Sequence, residues 1–132
     1  MIFIMNRTDQ YRLLALLELA RIHPASVPAA DIARSRDIPG PYLARLLAEL
    51  ARAGLVTTRR GAGGGVALAR DPRRLPVRAI LANDSQRPAA PEVVDRLERR
   101  LSAAMADALD HLTLADLAAW ELECHDVSNY VI

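Results

Sequence analysis

Residues 50–70, LARAGLVTTRRGAGGGVALAR, carry the reading that decides the fold. A helix-like segment ends at Ala53-Gly54, and Leu55-Val56-Thr57-Thr58 begins a β-branched run suited to a strand. Arg59 and Arg60 follow, then a glycine-rich tip, and Val66-Ala67-Leu68 resumes the strand pattern. This order predicts a two-stranded hairpin with two cations at its apex. Gly61, Gly63, Gly64 and Gly65 lower the barrier to unusual backbone angles and to close approach of a large ligand. An isolated hairpin is marginal in water, so this one must lean on the helices before it. An exposed, glycine-thinned arginine tip points to phosphate or to a groove, while a solvated turn is the plain alternative.

Working backward, residues 41–53 form a helix whose Leu43, Leu46, Leu47 and Leu50 repeat at 3, 1 and 3, one buried stripe. Pro41 suits a first helical turn and Gly54 suits a left-handed cap. Asp37-Ile38-Pro39-Gly40 is the turn before it, and residues 29–36 are a shorter helix carrying Ile32 and Ala33 inward. Thr8-Asp9 reads as the N-cap region of a first, leucine-rich helix that ends at His23-Pro24. Helix, short helix, turn, helix and arginine-tipped hairpin is the order of a winged helix-turn-helix. In that arrangement the third helix enters the major groove, with Tyr42, Arg45, Glu49 and Arg52 on the side away from the leucines. Tyr42 and Arg45, early in the helix, are the candidates for groove contact; Glu49 and Arg52 face solvent or pair with neighbours.

Composition agrees with a polyanion partner for the front half. Residues 1–78 hold thirteen arginines against six acids, whereas 79–132 hold four against ten, and the chain has no lysine. An arginine fork suits phosphate and guanine edges, although biased genome composition is the preferred explanation of the all-arginine usage. At 132 residues the chain is one domain or one with an appended segment. No run is long enough for a membrane span or signal sequence, so the cytoplasm is the expected compartment. A single cysteine, Cys124, excludes an intrachain disulfide and a metal site built from several thiolates of one chain. Catalysis is not indicated: no acid pair, no Ser or Cys beside a placed His, and no Lys-Ser/Thr after the glycines to make a phosphate-cradling loop.

These motifs together resemble the Rrf-two family of winged helix-turn-helix transcriptional regulators. Tyr42-Leu43, Leu46-Leu47, Leu50, Ala53-Gly54-Leu55-Val56, Arg60-Gly61, Gly63-Gly64-Gly65 and Leu68-Ala69 match its pattern. Tyr11 with residues 16–20 resembles its first helix and residues 112–117 its closing segment. The resemblance implies a homodimer on a palindromic operator, with the third helix in the major groove and Arg60 in the adjacent minor groove. Departures are also visible. Pro39, Pro41 and Ala44 stand where relatives carry serines and an acidic or amide residue, so selection rests on Tyr42, Arg45, Arg60 and DNA shape. Val66 stands where an aromatic commonly follows the glycines, which is expected to loosen the base of the wing. Cluster-binding relatives carry three cysteines after the wing; none occurs there in this chain, so no iron-sulfur cofactor is expected.

Beyond the wing, residues 75–82 read as one short helix and 83–91 as a proline-punctuated linker. Residues 92–111 read as the longest helix, with Val94, Leu97, Leu101, Ala104, Met105, Ala108 and Leu112 in one stripe. Such a stripe pairs with a second copy, or else packs on its own domain. Thr113 is expected to cap a last helix over 114–123, ahead of Cys124-His125, a pair read as structural or incidental. The apolar start, residues 1–5, reads as a strand or a start-codon artefact, and the apolar tail 127–132 as packing on a partner.

The expected organisation is therefore mainly α with a small β-hairpin wing. It comprises a winged helix-turn-helix DNA-binding domain (1–82), a linker loop (83–91) and a dimerisation helix with a C-terminal helix (92–132). The expected DNA contacts are Tyr42, Arg45, Arg59, Arg60, Gly61, Gly63 and Gly64, and the expected dimer contacts are Val94, Leu97, Leu101, Met105, Ala108 and Leu112. The expected partners are double-stranded DNA and a second copy, with an effector unspecified and no catalytic residue or metal. The reading is a DNA-binding regulator acting as a repressor. An alternative from another class is a winged-helix module that binds a protein instead of DNA.

Overall fold

The computed structural model describes residues 5–81 and 89–130. Helix α1 (Arg7–Ile22) starts at an Asn6 cap, not at Thr8-Asp9. The Asn6 side chain accepts from the Asp9 N–H at 2.8 Å and the Asp9 carboxylate accepts from the Asn6 N–H at 3.4 Å. Asp9 is thus the return half of a capping box, one turn inside the helix. Helices α2 (Ala29–Arg36) and α3 (Gly40–Arg52) follow, joined by a turn in which Asp37 takes a left-handed conformation.

Helix α3 ends as its sequence requires. Gly54 has φ +77°, its N–H donates to the Ala51 carbonyl at 3.0 Å, and the Leu55 N–H donates to the Leu50 carbonyl at 2.9 Å. This double bond is the Schellman closure, and the buried Leu50 and Leu55 provide the apolar contact that accompanies it. The chain leaves directly into β1 (Val56–Arg59), which pairs antiparallel with β2 (Gly65–Leu68) in register Val56 to Leu68 and Arg59 to Gly65.

The base of this hairpin is tight rather than loosened by Val66. Val66 is buried, its N–H donates to the Val27 carbonyl at 2.8 Å, and it accepts from the Val27 N–H at 3.0 Å. The α1–α2 connection therefore acts as a third, one-residue strand. Leu16, Leu19, Ile32, Leu43, Leu47, Leu50, Leu55, Val56 and Val66 share one core with Leu75 and Leu114 from the second half of the chain.

After the wing, the helix expected over 75–82 is not a single helix in its described part, residues 75–81. A 3₁₀ turn (Pro72–Arg74) comes first, Leu75 is extended and fully buried, and α4 (Val77–Leu81) is five residues long. Leu75 is held open because its carbonyl accepts from the Leu114 N–H at 2.8 Å, while the Val77 N–H donates to the Leu112 carbonyl at 2.9 Å. Helix α5 (Glu92–Ala108) stops short of His111, which has φ +62°. Helix α6 (Leu114–Tyr130) is as long as α5 at 17 residues, so Cys124-His125 lies within it rather than after it. Thr113 and Asp116 form its capping box, with the Thr113 N–H donating to the Asp116 carboxylate at 2.8 Å and the Asp116 N–H to the Thr113 hydroxyl at 3.3 Å. Helix α6 packs on α1 and on the 3₁₀ turn. Residues 1–4, most of the 83–91 linker and the last two residues, for which the sequence suggests a strand, a loop and an apolar tail, lie outside the described residues.

Candidate nucleic-acid interface

The amphipathic character of α3 divides it cleanly. Leu43, Leu46, Leu47 and Leu50 are buried, while Pro41, Ala44, Arg45, Ala48 and Arg52 are exposed. Neither α2 nor α3 has a side-chain cap at its N-terminus. Arg59 closes β1 and Arg60 follows it, both exposed. Between helix and hairpin runs an open cleft lined by Ala44, Leu47, Ala48, Thr58, Arg59, Gly61, Gly64 and Gly65. Small side chains on both walls leave the backbone open to approach, and Arg59 is the charged residue of the lining.

The apex geometry depends on glycine at two kinds of position. Gly61 (φ +96°) and Gly63 (φ +76°) hold left-handed angles, and the Gly64 N–H closes the turn onto the Gly61 carbonyl at 2.9 Å. Gly64 and Gly65 are needed for space instead: a Cβ at Gly64 would lie 2.3 Å from the Arg59 carbonyl oxygen, and one at Gly65 would lie 2.7 Å from that of Val27.

Tyr42 departs from its expected place on the outer face. It is half-buried against the core, its hydroxyl is hydrogen-bonded to the Thr8 hydroxyl, and its ring meets Tyr11 edge-on at 5.5 Å. The guanidinium of Arg7 sits 5.9 Å over the Tyr11 ring. Tyr42 is thus a strut between α1 and the first turn of α3. Glu49 pairs as expected: Arg12 donates to it at 3.1 Å and to Asp9 at 3.1 Å, a second tie between the same helices. No local pattern announces Thr8, Tyr11 or Arg12 as supports of α3, because their partners lie more than thirty residues away.

The second surface is apolar. No residue of α5 is buried, and Val94, Leu97 and Leu101 are 41%, 57% and 54% exposed. Ala108 is also exposed, and Met105 and Leu112 are half-buried. Trp120 and Leu122 add exposed apolar area on α6.

Comparison with known proteins follows the same outline. A family model, Rrf2, described as an iron-dependent transcriptional regulator, matches residues 5–90. The chain belongs to the Rrf2 family. This Rrf2 protein is a DNA-binding transcriptional regulator with a winged-helix fold. It is similar to slr0846 of Synechocystis sp., named for an HTH-type transcriptional regulator, at 36% identity over 94% of this chain and 96% of that one. Among solved structures it is similar to T. potens IscR, with a TM-score of 0.75 and 30% identity over 92% and 90% of the two chains. It is similar also to CymR, the global cysteine regulator of B. subtilis, with a TM-score of 0.70 and 28% identity over 90% and 98%. Against three other matching regulators the matched stretch covers about half of their length.

Among the described residues of this Rrf2 chain, the iron in the family's description finds no matching donor set. Its one cysteine, Cys124, is exposed on α6, and a thiolate-held cluster takes up to four. Among the described residues no three of His, Cys, Asp and Glu gather in a way that could hold a metal ion. Nor, among them, is any helix long and apolar enough to cross a membrane.

Proposed function

We propose that this regulator works as a homodimeric repressor of palindromic operators and does so without an iron-sulfur cluster. The observation that carries the reading is the shared cleft of α3 and the wing, walled largely by alanines and glycines, with the exposed Arg59 in its lining. Arg45 reaches base edges in the major groove, and Arg59 and Arg60 with the Gly61, Gly63 and Gly64 backbone follow the neighbouring phosphates and minor groove. Tyr42 belongs to this surface as the support of the first turn of α3. Residues 1–82 form the DNA-binding unit, 83–91 the linker and 92–132 the dimerising part.

The exposed Val94, Leu97 and Leu101, continued by Met105, Ala108 and Leu112, pair two copies along α5. The pairing sets the two reading helices about one DNA turn apart, ~34 Å. A dimer spanning two successive grooves excludes other proteins from that stretch, which is repression by occupancy. Regulation by this protein rests on binding and not on catalysis.

Binding to duplex DNA at increasing salt tests the reading. Affinity falls steeply as counterions are released from the contacted phosphates. Arg60→Ala weakens binding and lowers the salt slope by about 2, one for each copy in the dimer, while leaving the dimer intact. Absence of duplex retention even at low salt would transfer the surface to a protein partner.

A further inference from the structure

Arg36 occupies the last turn of α2, three residues before the Pro39 cap of α3. Its side chain is 13% exposed and contacts two other helices at once. The guanidinium gives both terminal nitrogens to Glu121 of α6, Nη1 at 2.6 Å and Nη2 at 2.8 Å, and its Nε to Glu18 of α1 at 2.9 Å. Glu18, itself buried, also accepts from Arg21. A paired fork of this kind fixes angle as well as distance, since two parallel bonds resist rotation that one would allow.

The place of this fork in the fold matters. Helix α6 is pinned at its start by the fully buried Leu114 and the bonds between 112–114 and 75–77. Leu117 and Ala118 then pack on the core, and two turns beyond Leu114 Glu121 adds a directional polar hold on Arg36. Helix α5 buries none of its own residues, and the 109–113 turn joins it directly to α6.

We propose that Arg36 is a positioning residue for operator recognition: by locking α6 to the end of α2, it sets the angle between the dimerising helix and the reading helix. This rests on the dimeric DNA-binding reading above. Packing of Leu117 and Ala118 keeps α6 on the core, the fork fixes its direction across α1, and release of Glu121 loosens that direction. The distance between the two copies of α3 then varies, and with it the preference for one half-site separation.

Glu121→Ala removes the α6 side of the fork while leaving the Arg36–Glu18 pair in place. The experiment compares affinity for a selected operator and for the same operator with half-sites moved apart by about half a turn, ~5 base pairs. The ratio of the two is independent of the folded fraction, so a merely destabilised protein leaves it unchanged. The expected result is that the ratio falls about fivefold or more in Glu121→Ala. Sedimentation is expected to show a dimer for both proteins, and half-site affinity to stay near that of the parent. Arg36→Lys, which keeps the charge beside Glu18 but loses the fork, is expected to lower the ratio in the same direction. A parent that discriminates spacing and variants that discriminate equally well overturn this inference alone. A parent that is monomeric, or that ignores spacing, overturns the dimer reading and this inference with it.

Discussion

At the scale of single residues, glycines with the same side chain carry different requirements, and the difference is measurable. Gly65 has an ordinary strand backbone, yet a methyl group there meets the Val27 carbonyl at 2.7 Å, inside the bridge that anchors the wing. Neither carbonyl nor strand can retreat without losing the Val27–Val66 bonds. Gly65→Ala is expected to destabilise the fold by ~1–3 kcal/mol in urea titration. Gly40 opens α3 without a left-handed angle, and a methyl group there would meet nothing within 4 Å. Because Pro41 follows, its ring disfavours a helical angle at any residue with a Cβ, so Gly40→Ala is expected to cost up to ~1 kcal/mol, less than Gly65→Ala. If the two alanines cost the same, the close approach at Gly65 is not what holds the wing base. Tyr42 is the residue whose surroundings the sequence concealed: its position on α3 is outward by the leucine count alone. The partners that turn it inward, Thr8 and Tyr11, come from a helix whose register against α3 no local pattern encodes.

Among the elements, those defined by short-range chemistry were legible and those defined by distant partners were not. The 3, 1, 3 leucine spacing, Gly54 and the β-branched pairs place α3, its cap and both strands, because each signal acts within one turn or one hairpin. The start of α1 misreads because its cap is reciprocal: Asp9 is the inner half, and Asn6, three residues earlier, is the outer one. The stretch around Leu75 misreads because its carbonyl bonds to Leu114, some forty residues away, which outweighs local helix preference. The extension of α6 through Cys124 carries no stop signal, and a pair of polar residues does not end a helix by itself. For α5 the stripe read from sequence lies in the open. With Leu97 and Leu101 each more than half exposed, Leu97→Glu is expected to turn dimer into monomer in sedimentation without lowering helix content, since the side chain leaves no monomer core behind. A Leu97→Glu protein that stays dimeric would place the interface elsewhere.

For the whole molecule, the joint of three helices makes stability depend on acid. Burial works to raise the Glu18 carboxyl, but Arg21 and Arg36 outweigh it and hold it below its ordinary 4.5. The Arg36 hydrogen bonds hold Glu121 below the same value against a smaller opposing effect of burial. Both folded-state values being depressed, their contribution is present above the ordinary carboxylate range and is lost as pH falls below 4.5 toward the folded values. The urea midpoint is expected to drop between about pH 6 and pH 3.5, and Glu121→Gln to lower it at the upper pH and shrink the drop. An identical drop in the variant would assign the acid response to other carboxylates. The bridge between Val27 and Val66 bears on how the molecule meets its duplex. A wing stitched to the α1–α2 connection is braced against the helices before it, so on the proposed reading the claw is set in advance. On that reading the arginine side chains do the sampling before the grip closes, and the spacing of the groove walls, more than any wrapping motion, becomes what is sensed.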